Sequence, residues 1–448
     1  MDVPKAIIVL AALFGLLFGI DVGIITGALP LLTKQYALSP ANEGFIAAGV
    51  PFGAIFGTFV GFYLVDRIGR RRVLLLSAGL FAAGAIASAL STGALTLGLS
   101  RTMVGVAIGV STLTAPMYLA EIAPTKYRGA VVGCFEFNIA FGIFLAYGVD
   151  WAISYADSWR LMLVFPLVPA LVCLVGMIWS PESPRWLVMK RQEDKARSAL
   201  RLVQPRISND DVERIVTDIK RQHPERPEEE RWSRLAAPKL RPLLIFAVIA
   251  FFLQQFCGIN AVLNYAPEIL REAGMEGLSN QLVATVGLGF VLAATGAIGI
   301  SIVDRIGRKP LFITGFIGTS LSMAVLALTL QFLGNDFAWL SLVSLFVFVF
   351  FFGISLGPLP WIYMSELFPL ALRGKGIAAA CLSNWICNWL VVFLFPIVSR
   401  GIGTPETFLA FAIFCIFGIW YSARYAPETK GILLEEVVDR VSAPEAGG

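Results

Sequence analysis

Long apolar stretches alternate with short polar ones along the entire chain, and twelve of them approach or exceed the roughly 20 residues that a helix needs to cross about 30 Å of hydrocarbon. They lie at residues 6–30, 43–65, 73–92, 95–120, 129–153, 158–179, 242–270, 281–303, 311–332, 338–365, 374–399 and 405–424. Backbone groups in lipid must be satisfied inside their own segment, so each stretch is predicted to be a helix and not a strand. The first is too long for the core of a secretory signal and carries Asp21, so it is read as a span.

The polar stretches are of two kinds. "DRIGRRR" (66–72), "PTKYRG" (124–129), the segment 181–241, "DRIGRK" (304–309) and "LRGKG" (372–376) are rich in Arg and Lys and follow every second span. The alternate loops carry few basic residues, Lys34, Arg160, Arg271 and Arg400 among them. Short basic loops stay in the cytoplasm, which predicts cytoplasmic termini at both ends. Residues 181–241 hold 15 of the 35 Lys and Arg and 11 of the 31 Asp and Glu. "QEDKARSALRLV" and "NDDVERIVTDIKRQ" within it have helical spacing, while the prolines of "HPERPEEER" would break a helix. Interspersed charges without an aromatic platform argue against nucleic acid as a partner.

The two halves repeat. "GFYLVDRIGRRR" (61–72) corresponds to "ISIVDRIGRKP" (300–310), and "APMYLAEIAPTKYRG" (115–129) to "LPWIYMSELFPLALRG" (359–374). A 6+6 repeat with a site between the halves is a transporter architecture. The expected fold class is an all-α membrane protein: a six-helix bundle over 1–180, a cytoplasmic helical linker over 181–241, a second six-helix bundle over 242–426 and a cytoplasmic tail over 427–448, with "ILLEEVVDRV" as a short helix. Orientation alone accounts for the basic loops, but not for acids at matching places in both repeats. Asp66, Arg67, Arg70, Arg71, Glu121, Arg128, Glu182 and Arg185, with Asp304, Arg305, Arg308, Glu366, Arg373 and Glu428 in the second half, are therefore read as a cytoplasmic gate network.

Composition agrees with the pattern. The chain is 57% hydrophobic and 15% charged, and its mean hydropathy is +0.76. That is too apolar for a soluble domain. The six cysteines fall in predicted spans without metal-like spacing, and the single histidine, His223, lies in the polar central segment. There is no metal cluster, nucleophile elbow or phosphate loop, so neither an enzyme nor a cofactor is expected.

Polar residues inside spans carry the candidate chemistry. Asp21 stands in "LLFGIDVGIITG", and a carboxylate at bilayer depth costs at least a few kcal/mol, which marks it as functional. Arg101, early in the fourth span, can supply its partner. An arginine close by favours the carboxylate, and burial without one favours the acid, so a cycle that moves Arg101 would load and unload a proton. The alternative is a static buried pair. In the seventh span, "FFLQQFCGINAVLNYAPEIL" places Gln254, Gln255, Asn260 and Asn264 around a break at Gly258 with an end near Pro267. Carboxamides donate and accept together, as sugar hydroxyls do. Interhelical adhesion is the competing role for one such amide, whereas four beside a break favour a cavity.

The paired "DRIGRR/DRIGRK", "PESPRWL", "QQFCGIN", "GPLPWIYMSELFP" and "PETKG", in order along nearly the whole chain, resemble the sugar porter family of the major facilitator superfamily. The resemblance implies Gln254, Gln255 and Asn260 as sugar contacts, Trp361 as the tryptophan under the sugar, and Asn384, Trp385 and Asn388 as further contacts. It pairs Asp21 with Arg101 as the proton-coupling site of symporting members. This chain departs from the family at three positions: Glu136 replaces a sugar-binding glutamine, Asn264 an aromatic of the outer gate, and Leu292 a sugar-contacting asparagine. Glu136 is therefore a second candidate both for sugar binding and for proton coupling. The expectation is a monomeric proton-coupled symporter of a hexose, pentose or cyclic polyol in a bacterial inner membrane, with sugar, proton and lipid bilayer as its partners. A facilitative uniporter and a membrane sugar sensor are the alternatives, the latter calling for a longer signalling tail.

Overall fold

A computed structural model of the protein describes residues 5–123, 128–205, 207–222, 235, 237–238, 240–333, 337–368 and 372–430. The helices are α1 Lys5–Tyr36, α2 Pro40–Ile68, α3 Arg70–Ala89, α4 Ala94–Ile122, α5 Arg128–Ser154, α6 Trp159–Val164, α7 Leu167–Trp179, α8 Pro184–Met189, α9 Glu193–Val203, α10 Asn209–Gln222, α11 Arg241–Phe256, α12 Ile259–Glu272, α13 Leu278–Ile306, α14 Arg308–Leu328, α15 Ala338–Phe351, α16 Leu359–Leu367, α17 Arg373–Ile402 and α18 Thr404–Tyr425. Among the described residues there is no strand, and 12 spans are long and apolar enough to cross a membrane.

Prolines account for most departures from the expected bounds. α1 runs on through Pro30. The sixth span is interrupted between α6 and α7 at Phe165 and Pro166. The tenth changes to a π-helical turn at Phe352–Leu356 before Pro358 and Pro360 restart it as α16. The linker helices form as expected and share a small core of Trp186, Leu187, Val188, Ala199, Leu200, Val212 and Val216. "HPERPEEER" and "ILLEEVVDRV" lie outside the described residues.

Contacts divide the chain into two compact units. One comprises Met1–Asp21, Gly49–Ile143 and Leu163–Glu229, and the other Val22–Ala48, Phe144–Met162 and Glu230–Gly448. The division cuts across α1, α2 and α5, and in α1 it falls immediately after Asp21.

Close backbone approach holds the first unit together. Lipid is as apolar as a leucine side chain, so helices in it gain little by burying apolar faces and associate instead through small residues. α2 carries Gly49, Gly53, Gly57 and Gly61 four apart, and a methyl group built on Gly53 would lie 2.0 Å from the Thr102 carbonyl oxygen of α4. Gly105 and Gly109 answer from α4, against the Val50 and Ala54 backbones. Phe52, Phe56, Phe59 and Tyr63 are exposed along α2. α1 meets α5 in the same way, Gly19 lying against the Ile139 carbonyl and Gly142.

The second unit repairs its broken helices with side chains. Pro267 leaves the Leu263 carbonyl without its i+4 donor, and the hydroxyls of Thr26 and Tyr147 both donate to that oxygen at 2.7 Å. Pro396 does the same to Val392, whose carbonyl accepts Tyr265 Oη at 2.8 Å. Pro360 deprives Leu356, whose carbonyl accepts Gln254 Nε2 at 2.7 Å. Donors from neighbouring helices are what make proline tolerable at this depth.

Candidate transport site

In the first unit, Arg101 Nη1 of α4 lies 2.6 Å from Asp21 Oδ1 of α1. Its Nη2 donates to the Asp21 carbonyl at 3.4 Å. The route for the guanidinium is opened by Gly49, whose missing side chain would sit 3.0 Å from the Arg101 Cβ. Each residue is 2% exposed. The pair is not the two-point fork that arginine and a carboxylate form at their strongest: Asp21 Oδ2 and Arg101 Nε are both buried with no hydrogen-bond partner among the described residues. Each partner thus keeps an unused valence beside the contact. Glu136 projects from α5 with its side chain exposed, and no hydrogen-bond or ion-pair partner holds it among the described residues.

The amide cluster belongs to the second unit. Gly258 adopts φ 94° and ends α11 before α12 begins, and Tyr265 interrupts α12 with φ −122° and ψ 17°. The helix does not end near Pro267, as the sequence led us to expect, but carries the proline to Glu272. Across the break, Asn260 Nδ2 donates to Gln255 Oε1, and Gln255 Nε2 donates to Asn384 Oδ1 of α17 at 2.6 Å. The other two amides are engaged with backbone. Gln254 Nε2 bonds the Leu356 and Gly357 carbonyls, and Asn264 Nδ2 bonds the Asn260 carbonyl at 2.8 Å. Their donors are occupied in stabilising broken helices, which leaves the Asn260, Gln255 and Asn384 chain as the more adaptable set. Trp361 is half-buried on α16, its ring edge-on to Phe251 with centroids 5.0 Å apart. Trp385 is buried in α17, and Asn388 is half-buried one turn further on.

The ionic motif is built twice. In the first unit Arg70 Nε lies 2.9 Å from Glu121 and Arg70 Nη1 3.1 Å from Asp66. Ser183 Oγ donates to Glu121, and Tyr118 Oη to the Pro181 carbonyl. In the second unit Arg308 Nη2 lies 2.9 Å from Glu366. Thr429 Oγ1 donates to Glu366, and Tyr363 Oη to the Pro427 carbonyl. "PESPRWL" and "PETKG" are thus equivalent parts of the repeat. Glu182 and Glu428 accept the first backbone amides of α3 and α14, from Arg71 at 3.0 Å and Arg308 at 3.0 Å. Helix N-termini favour such anions. Gly69 and Gly307, at φ 95° and 102°, make room, since a methyl group on either would meet the glutamate carboxylate within 3 Å.

Two arginines of the expected network have other partners. Arg67 lies over the Tyr63 ring, 3.7 Å from its centroid. Arg71 turns to the Met177 and Ile178 carbonyls at the end of α7. Arg305 contributes its backbone carbonyl, which accepts Lys430 Nζ at 2.6 Å. The side chains of Arg128, Asp304 and Arg373 lie outside the described residues. Burial would raise the Glu428 carboxyl, but the amides of Lys430, Arg308 and Lys309 and the Arg308 charge outweigh it and hold it below its ordinary 4.5. A depressed carboxyl contributes stability above its unfolded value and loses it as pH falls through the folded one. The thermal-stability advantage of wild type over Glu428→Gln is therefore expected to be full at neutral pH and to shrink below pH 4.5, as read by apparent Tm across a pH series.

Sequence reasoning missed two buried acids. Asp150 of α5 is fully buried, with Oδ2 accepting the Gly27 amide at 2.9 Å. Glu43 of α2 is 1% exposed and pairs with Arg400 of α17. A scan for charges inside every predicted span, not only the first, would have flagged Asp150, whereas Glu43 stands at the very edge of its span.

A multi-pass helical protein with one ionic motif built in each half and an amide-lined broken helix is a membrane transporter of the repeated-halves class, with the major facilitator fold. Residues 7–440 match the family described as "Sugar (and other) transporter", and the chain belongs to that family. It is 36% identical over 432 residues to the glucose transporter GlcP of Staphylococcus epidermidis, covering 96% of each chain. It is 34% identical over 433 residues to the galactose-proton symporter of Escherichia coli K12, covering 96% of this chain and 92% of that one. Among solved structures, the partially occluded inward open conformation of the xylose transporter XylE from E. coli superposes with a TM-score of 0.83 at 28% identity, over 96% of this chain and 99% of that one.

Proposed function

We propose that the protein is a proton-coupled symporter of a neutral sugar, a hexose, pentose or cyclic polyol, working as a monomer by alternating access between two six-helix bundles joined by the 181–241 linker. Both termini and the arginine-rich loops face the cytoplasm, in keeping with the basic residues of those loops. The observation that carries the reading is the buried Asp21–Arg101 pair with a free valence on each partner. While the guanidinium stands against Asp21 the carboxylate is matched, and when the helices part it the carboxylate must take up a proton or meet water. Asn260, Gln255 and Asn384 bind the sugar hydroxyls, and Trp361 offers its apolar face to the ring. Glu136 adds an unpaired acceptor from α5, which favours a substrate that donates there and makes it a second proton site.

Purified protein in proteoliposomes tests this directly: an imposed inward proton gradient should drive sugar accumulation, and a protonophore should abolish it. Uptake that only equilibrates, indifferent to the protonophore, would establish a uniporter instead. Gln255→Leu removes the middle of the amide chain at similar volume and leaves Asn260 and Asn384 without their partner. A site built to hydrogen-bond a hydroxyl loses about 1–3 kcal/mol for each buried polar group left unmatched. The half-saturation concentration should rise about tenfold or more, and the apparent Tm should fall as well, because the same amides stay buried without their partner in the empty protein.

A further inference from the structure

The ends of the spans opposite the arginine-rich loops carry an ionic cluster of their own. Arg400 Nη2, at the end of α17, lies 2.6 Å from Glu43 Oε2 and 2.8 Å from Oε1, and 3.2 Å from Glu268 Oε1 of α12. Thr33 of α1 donates to Glu43 Oε1 at 2.8 Å, and Arg271 approaches Glu268 at 3.4 Å. Glu43 and Arg400 are 357 residues apart, so the contact ties the first half of the repeat to the second. The Glu43 side chain is 1% exposed while Arg400 is 36% exposed. The acid is thus the costly member of the pair, and among the described residues the arginine, Thr33 and its place in the first turn of α2 compensate it.

We propose that Arg400 is a positioning residue of the transport cycle, an ionic lock that holds the outer ends of α1, α2, α12 and α17 together through Glu43 and Glu268. The proposal rests on the alternating-access reading. A contact shifts a conformational balance only by the difference it makes between the two states. Here that difference arises because the lock is complete only while these ends are packed: parting them breaks the contact at the buried Glu43 carboxylate, and hydration of the separated charges offsets part of that loss. The hydroxyls of Thr26 of α1 and Tyr147 of α5 on the Leu263 carbonyl of α12 add a second, uncharged tie. Arg400 stands in the last turn of α17, at the side of the membrane where orientation rules expect few basic residues, so its presence is not explained by topology.

Hydrogen–deuterium exchange on the full chain in nanodiscs reads the lock without any sugar. Arg400→Gln leaves Glu43 buried without its cation, and exchange at residues 24–36 and 259–272 should rise about tenfold or more, with α8–α10 unchanged. Glu43→Gln combined with Arg400→Gln removes the stranded charge and should return much of the protection. Glu268→Gln, a milder variant that serves if Arg400→Gln fails to fold, should give a smaller rise at the same segments. Exchange unchanged in the folded variants, or raised equally in α8–α10, overturns the lock. Uptake by the wild type is measured separately: its absence removes the transport reading and leaves the exchange result standing. Where uptake is present, Arg400→Gln should lower the half-saturation concentration for external sugar, because more molecules present an outward site.

Discussion

Asp21→Asn is expected to abolish concentrative uptake while sparing exchange of labelled sugar across the membrane. At one proton per sugar, a gradient of one pH unit supports about a tenfold accumulation, equivalent to about 1.4 kcal/mol. The variant should bring that ratio to one. Asparagine keeps an oxygen where Asp21 Oδ1 meets Arg101 at 2.6 Å, so much of the local geometry survives. What disappears is the charge that has to be neutralised when Arg101 departs. The guanidinium, 2% exposed, is then buried beside a neutral group, which costs on the order of 3–5 kcal/mol when an ion pair is broken on one side only. A fall in thermal stability is therefore expected with the loss of accumulation, and exchange separates the two effects: a merely unfolded protein would lose both. Retained pH-dependent accumulation in Asp21→Asn would move the coupling elsewhere, to Glu136 first.

How legible these features were in the sequence follows from the range of the physics involved. Spans and their order depend on local hydrophobicity, and all twelve were readable. The Gly258 break was readable because four amides beside a glycine are anomalous in lipid, and the Asp21–Arg101 pair because each charge is anomalous within its span. Most other side-chain partners were not. Gln254 and Asn264 look equivalent to Gln255 along the helix, yet their donors go to carbonyls, and for Gln254 that follows from Pro360 more than 100 residues away. Arg71 reads as an ion-pair arginine until the end of α7 is seen beside it. Glu43 and Arg400 stand at opposite ends of the chain, and each is ordinary near a loop. Only folding makes them a pair.

The largest structural effect is expected at a position with no chemistry at all. Gly53→Val places a branched side chain where a single methyl would already lie 2.0 Å from the Thr102 carbonyl oxygen and 2.8 Å from the Val106 amide nitrogen. Both obstacles are backbone, so no rotamer change relieves them, and α2 must move away from α4. Overpacking a core costs about 1–3 kcal/mol where side chains can shift, and the cost here exceeds that range because the helices lose their close approach along the Gly49–Gly61 row. Since lipid supplies little apolar drive to bring them back, the separation is not recovered by packing elsewhere. It also displaces Gly49 from the Arg101 Cβ, 3.0 Å from where its own side chain would be, and so disturbs the guanidinium that faces Asp21. Gly79→Ala is the matching control, because a methyl group there meets nothing within 4 Å, and alanine suits a helix better than glycine by up to about 1 kcal/mol. Fluorescence-detected size-exclusion after graded heating should show Gly53→Val aggregating well below wild type and Gly79→Ala at or above it. Equal melting of the two glycine variants would mean that close backbone approach between α2 and α4 does not hold the first unit together.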